Sequence, residues 1–303
     1  MENQPGARKY LAIILAATGV VFFSSKAIFV KKVYDYDIDT LSVLFLRMTF
    51  ALPVYFVVAV VSTIKSRSRK VAFTDYLWLI VLGFLGYYLA SFLDFKGLNY
   101  VSASMERLIL FVYPTMVLFI SWIFMKKAVT QQQRLAVAIT YIGVFIAFSN
   151  NIRTESQTNF FIGAAFIFVS AISYAFFLVI SGNIIPRMGT WRFTSYAMIT
   201  SCIAVMLHCI AVGNITFNHF PSDVYFICLG MAVFATIIPS FLIAEALKIL
   251  GASNVAIIGS LGPIATIVMA SVFLGEKINA FQFIGTLIVI SGILQLNMQR
   301  KAA

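Results

Sequence analysis

Apolar residues run through this chain in long blocks, with neither the strict alternation of a half-buried strand nor the narrow apolar stripe of a surface helix. Blocks of spanning length, separated by short polar or charged punctuation, fall at 10–31, 40–62, 76–98, 102–125, 133–149, 160–181, 192–213, 223–247, 252–274 and 280–298. Each reads as a helix crossing a bilayer, because ~20 helical residues match the ~30 Å hydrocarbon thickness. Ten such helices take up most of the 303 residues. The expected fold class is all-α integral membrane, with ten transmembrane helices and no soluble domain.

Composition agrees with the pattern. The chain is 61% hydrophobic and 11% charged, with a mean hydropathy of +0.96, against roughly 45–50% apolar and 25% charged residues in soluble domains. A net charge of +11 would suggest nucleic acid in a soluble protein; here its distribution says otherwise. An even number of spans puts both termini on one side, and fourteen of the 22 Lys and Arg fall on that side or at its edge of the spans, with four on or at the edge of the opposite side and four deeper inside the spans. The positive-inside rule then places both ends in the cytoplasm of an inner or plasma membrane, and no nucleic-acid partner is expected. The first block carries no small-x-small cleavage site and is read as a retained helix, not a leader. Cys202, Cys209 and Cys228 sit in apolar runs without disulfide or metal spacing, so neither cofactor nor metal is expected.

Sliding the chain against itself brings several features into one gapless register at an offset of 149 residues. Ser91-Phe92-Leu93 falls on Ser240-Phe241-Leu242, Leu98 on Leu247, Ala103-Ser104 on Ala252-Ser253, Pro114 on Pro263, Phe124 on Phe273 and Gly143 on Gly292. The first two helices of each half align poorly. The expected organisation is a five-helix repeat over 1–149, an external linker at 150–159 and a second five-helix repeat over 160–303. Five is odd, so the second copy enters the membrane from the opposite side. Such a 5+5 inverted-topology repeat places a substrate site near the midplane between the halves.

The stretch from Gly97 to Ser104, then Tyr113-Pro114 and Lys126-Lys127, together with the second-half stretch from Ala246 to Ser253, Gly262-Pro263 and Gly275-Glu276, resembles the drug/metabolite transporter superfamily, EamA type. The closing Gly-Glu is the most typical piece, and the resemblance covers essentially the whole chain. It implies a ten-helix, five-plus-five carrier, usually an exporter of amino acids or other small metabolites. Two departures stand out: Lys126-Lys127 replaces Gly-Glu in the first half, and the charged pair Glu106-Arg107 sits early in helix 4.

An ionisable group at bilayer depth costs ~2.5–3.5 kcal/mol and is a functional candidate by default. Topology places Lys26, Arg47, Asp94, Lys96, Glu106 and Arg107 in the outer third. Lys96 and Arg107 lie near helix ends and read as bridges closing the external face. Lys26 and Arg47 lie deeper and read as cavity groups with Asp94 or Glu106 as counter-ions, suited to a carboxylate or phosphate. Lys26, Arg47, Asp94, Glu106 and Arg107 are therefore the candidates for substrate binding or gating, with Glu106, Asp94 and Glu245 as candidates for proton coupling. Midplane tyrosines must find partners, which adds Tyr87, Tyr88, Tyr113 and Tyr174 as cavity lining or helix-to-helix hydrogen bonds; Phe22 and Phe23 read as packing. Pro114 and Pro263 are hinge candidates. Gly285 and Gly292 share a face suited to close packing, within the monomer or in a homodimer.

No nucleotide-binding Gly-x-x-x-x-Gly-Lys run, His-Glu-x-x-His or Gly-x-Ser-x-Gly occurs, so no enzyme is expected. The expected function is a secondary transporter exporting small amphipathic metabolites, amino acids or related zwitterions and anions, by alternating access with proton coupling as a candidate. A channel or facilitator for small solutes, or a phosphate-ester exchanger, is the alternative. The expected partners are a small-molecule substrate, the lipid bilayer and protons.

Overall fold

The computed structural model describes residues 5–65, 71–148, 159–213, 220–275 and 280–298. All but the last residue of the expected linker at 150–159 lies outside these. Among the described residues every regular element is a helix, and the helices group into ten crossings. The first half runs α1 (Pro5–Ser24) with α2 (Lys26–Tyr34), then α3 (Thr40–Lys65). Next come α4 (Phe73–Leu82), a π-helical stretch at Gly83–Leu89 and α5 (Ala90–Leu98), followed by α6 (Ala103–Leu110) with α7 (Tyr113–Met125), and α8 (Gln131–Phe148). The second half runs α9 (Phe160–Met188), α10 (Thr190–Val212), α11 (Ser222–Ala232) with a π-helical stretch at Val233–Ile237 and α12 (Ile238–Leu250). It closes with α13 (Ala252–Ile258) and α14 (Leu261–Leu274), then α15 (Ala280–Met298). Seven stretches are long and apolar enough to span a bilayer: Arg8–Tyr34, Thr40–Lys65, Phe73–Leu98, Phe160–Met188, Thr190–Val212, Ser222–Leu250 and Ala252–Phe273.

Several crossings expected as plain helices are interrupted, and apart from the α1–α2 break at Ser25, whose mate lies within the unbroken α9, the interruptions recur at the 149 offset to within a residue. The π-helical stretch at 83–89 overlaps the counterpart of that at 233–237, and the break at Phe111-Val112 falls one residue from the counterpart of that at Gly259-Ser260. Pro114 and Pro263 lie in the first turn after the breaks; each lacks an N–H for the preceding turn and its ring clashes with the carbonyl four residues back. Carbonyls in and just after the first π-helical stretch also accept from side chains of a neighbouring helix, which ties the irregular backbone to protein. Ser173 and Ser170 of α9 donate to Leu85 O at 2.8 Å and Ala90 O at 2.6 Å. Even the caps match: Lys126 (φ 51°) and Gly275 (φ 72°) end α7 and α14 in left-handed geometry.

The packing shows the inversion directly. A Cβ on Gly143 of α8 would meet Gly285 O of α15 at 2.7 Å, while one on Gly292 would meet Ala136 O of α8 at 3.2 Å. The offset converts the first contact into the second, the reciprocity of a two-fold interface. The small faces of α8 and α15 are thus filled within the chain. Likewise α3 lies on α10, and α1 lies along α12 as α9 lies along α5. Since crossings alternate in direction, the molecule has a chain-end face, where α1 starts and α15 ends, and a far face carrying the α2–α3 and α5–α6 turns.

Candidate functional site

Toward the far face, the α1–α2 break, α5 and the first turn of α6 bring four charges together. Lys26 is ion-paired and hydrogen-bonded to Asp94 and lies 3.6 Å from Glu106; Arg107 Nε lies 3.1 Å from Glu106. All four are at most 5% exposed. Arg107 also donates to the Phe23 and Ser24 carbonyls at 3.3 and 3.4 Å, groups that the α1–α2 break makes available. Two cations and two anions leave the quartet neutral, which is what allows it at this depth.

Arg47 stands apart. It is 2% exposed, its guanidinium lies 4.8 Å from the Phe95 ring centre, and its Nε has no hydrogen-bond partner. Counted with the quartet it leaves one uncompensated positive charge. Within the quartet the Glu106 oxygens face Lys26 and Arg107 as ion pairs outside hydrogen-bond geometry. Lys96 lies at the edge, over the Phe166 and Phe92 rings at 4.9 and 5.9 Å.

Below these charges, two small chambers lie between the halves. One, of about 40 Å³, is walled by Phe23, Arg107, Tyr113, Tyr174, Gly259 and Pro263. The other, of about 20 Å³, is walled by Phe23, Arg47, Tyr87, Ser91, Thr236 and Ser240 among others. Their shared wall is Phe23 stacked on Tyr174 at 6.0 Å, with Ile243. The linings are again paired by the offset: Tyr87 with Thr236, Ser91 with Ser240, Tyr113 with Gly262 and Pro114 with Pro263, of which only Pro114 is not in a chamber wall. Gly259 is required locally, because a Cβ there would fall 1.4 Å from the Tyr113 hydroxyl, which donates to Ala256 O at 3.1 Å. Each chamber holds about one water, so the conformation is contracted around its centre.

On the chain-end side the Arg47 chamber is closed by Tyr55. This fully buried residue of α3 bonds Ser240 Oγ at 2.9 Å and donates to Thr236 O at 3.3 Å, tying one half to the other. Beyond it lies a cleft of about 800 Å³ between α3, the α9–α10 turn and α12. Glu245 is found there, held by Lys248 at 3.0 Å and by the Thr190 hydroxyl, well away from the quartet. Tyr88 lies outside both chambers, bonding His208 Nδ1 at 2.8 Å between the third and seventh crossings. Among the described residues no group of His, Cys, Asp or Glu is arranged to hold a metal ion.

The EamA-like transporter family profile matches this chain twice, over residues 10–149 and 161–298. The chain belongs to the EamA-like transporter family. It is 33% identical over 290 residues to the uncharacterized transporter YcbK of Bacillus subtilis (strain 168), covering 94% of this chain and 92% of that protein. An uncharacterized transporter of Archaeoglobus fulgidus is 25% identical, with 93% and 94% covered. A solved crystal structure superposes with a TM-score of 0.77 at 11% identity, over 96% of this chain and 98% of that one, a likeness of fold. This EamA chain is therefore an integral membrane transporter with the helical architecture its hydropathy implies. Against that fold, sequence reasoning assigned no role to Tyr55, Ser91, Thr236 and Ser240, and set Phe23 among packing residues although it divides the chambers. Ser91 and Ser240 had been visible as repeat mates; Tyr55 carries no sequence signal, since only the fold brings it to α12.

Proposed function

We propose that this transporter is a secondary carrier exporting small amphipathic metabolites, amino acids or related zwitterions and anions, by alternating access between the repeats at 1–149 and 160–303. The observation that carries the reading is Arg47, a buried cation in a chamber wall between the halves whose Nε has no hydrogen-bond partner. A buried polar group without a partner is costly, and a substrate carboxylate or phosphate supplies the acceptor that Arg47 lacks. Arg47 anchors the anionic end through its planar fork. Separation of Phe23 from Tyr174 merges the chambers into a substrate-sized space. The quartet closes the far side and the Tyr55–Ser240 bond the chain-end side, so the two release in alternation. Pro114 and Pro263, beside the paired breaks, are the hinges.

Coupling to protons is assigned to Glu106 with Asp94. The charged groups facing Glu106 are Lys26, Arg107 and Asp94. A proton on either carboxylate leaves the quartet with an excess cation and loosens its hold on Lys26 or Arg107. Both termini are placed in the cytoplasm by the fourteen-to-four distribution of basic residues.

The test is counterflow in proteoliposomes, with amino acids, nucleobases and phosphorylated sugars as candidates chosen by thermal-shift screening. Saturable, trans-stimulated exchange of a zwitterion or anion supports a carrier; non-saturable flux indicates a facilitator. Impermeant thiol labelling checks the orientation, with Asp35→Cys reacting from outside and Lys127→Cys only after permeabilisation.

A further inference from the structure

The 800 Å³ cleft at the chain-end face is not absorbed by the transport reading, since the Tyr55–Ser240 bond separates it from the chambers. Its lining is sorted by polarity. One side is apolar and open to the surroundings: Val57 is 59% exposed, Val61 43% and Trp191 57%, with Trp191 packed on Phe241 at 4.7 Å. These positions continue the outward face of α3, where Val54, Phe56, Val60 and Ile64 are also exposed. In a membrane that face meets acyl chains, so the cleft opens sideways into the bilayer.

The other side of the cleft lies at the helix ends and is basic. Lys65 at the last position of α3, Lys248 near the end of α12 and Arg192 in the first turn of α10 surround a single carboxylate, Glu245. The Glu245–Lys248 pair balances internally. Arg192 is held by the Tyr76 hydroxyl over its ring, with no carboxylate partner among the described residues, and Lys65 is exposed. The excess is two positive charges at headgroup level, directly above an apolar wall at acyl level.

We propose that this cleft is a binding site for one anionic glycerophospholipid, its phosphate between Lys65 and Lys248 and an acyl chain against Val57, Val61 and Trp191. Basic pockets between transmembrane helices attract anionic headgroups, and here the apolar wall adds what a free anion cannot use. The site bridges α3 of the first half to α10 and α12 of the second. Its occupant therefore ties membrane composition to the relative position of the halves.

The test uses the full-length protein in a neutral detergent, with thermal unfolding followed during titration with dioleoylphosphatidylglycerol, dioleoylphosphatidylcholine or glycerol 3-phosphate. Phosphatidylglycerol is expected to raise the apparent Tm by several degrees as a ligand of the native state, while the other two do not. Lys65→Gln with Lys248→Gln weakens the phosphatidylglycerol response about 25-fold, from about fivefold per lysine. The equally neutralised pair Lys127→Gln with Arg134→Gln, on the same face outside the cleft, leaves it unchanged. Equal stabilisation by phosphatidylcholine overturns the proposal, as does an equal response to glycerol 3-phosphate, which assigns the cleft to soluble anions. If the double variant does not fold, Lys65→Gln alone decides, because that exposed side chain is dispensable for folding; unchanged affinity there also overturns the site.

Discussion

Two clusters of charge lie at opposite faces of this molecule and are built from similar residues. The far-face quartet of Lys26, Asp94, Glu106 and Arg107 is at most 5% exposed, whereas Glu245 and Lys248 at the chain-end cleft keep side-chain exposures of 32% and 28%. The offset that superposes helix breaks, π-helical turns and caps does not superpose these charges: Glu106 and Arg107 correspond to Val255 and Ala256, and Lys96 to Glu245. The two halves therefore share their backbone devices and differ in their electrostatics. Two inverted copies thus repeat most of their backbone bends while differing in side chains, with desolvated ions toward one face and the Tyr55 bonds to Ser240 and Thr236 toward the other.

The largest effect should separate the clusters by stability. Asp94→Asn leaves Lys26 buried with only the more distant Glu106, and breaking a buried pair in this way costs about 3–5 kcal/mol. Glu245→Gln removes a half-exposed pair, worth no more than about 1 kcal/mol. Unfolding in detergent compares the two variants; equal losses would show that burial does not distinguish the clusters.

Next in size is Arg47→Ala, expected to lower transport about 100-fold, a loss of about 2.7 kcal/mol of transition-state stabilisation if Arg47 holds the substrate anion. Because the guanidinium has no hydrogen-bond partner at Nε and, among the described residues, no ion pair, the protein should remain folded and inserted. Arg47→Lys keeps a point charge without the fork and should recover part of the activity. Retained transport in Arg47→Ala would move the anion site to the quartet.

A smaller effect tests the central chambers. Gly259→Ala forces the Tyr113 ring out of its seat, and overpacking of this kind costs about 1–3 kcal/mol. Combined with Tyr113→Phe, which removes the atom nearest the added methyl, the loss should be less than additive. Strict additivity in thermal unfolding would mean that the ring does not occupy the gap above Gly259.

Most of the fold was legible because lipid imposes a simple rule: a buried backbone must be helical, so runs of apolar residues reveal the crossings. The repeat was legible because Pro114 and Pro263, or Gly143 and Gly292, serve backbone needs that constrain residue type. The candidate site was half legible. Lys26, Asp94, Glu106 and Arg107 stand out as charges in apolar runs, and their pairing follows from cost. Tyr55, Ser91, Thr236 and Ser240 resemble dozens of other small polar or aromatic positions, and only three-dimensional proximity selects them. The π-helical turns were not legible at all, since Gly83–Leu89 contains no proline and the serines that bond Leu85 O and Ala90 O lie some 80 residues away.

The smallest effect addresses the most exact match between the halves. Lys126 and Gly275 occupy corresponding caps with φ of 51° and 72°, and glycine suits that geometry where lysine does not. A Cβ in the left-handed region costs roughly 1–2 kcal/mol. Replacing lysine with glycine removes that strain but raises the entropy of the unfolded chain by about 0.4–1 kcal/mol. Lys126→Gly should therefore stabilise by about 0.5–1 kcal/mol, and Gly275→Ala should destabilise by a similar amount, since both terms reverse sign. Lys126 is exposed, so little packing is lost to obscure the comparison. Opposite shifts of similar size in thermal unfolding would establish the two caps as one backbone device written with different residues. A destabilised Lys126→Gly would instead mean that its side chain, not its backbone, holds the end of α7, and that the departure from glycine in the first half is a feature of that half alone.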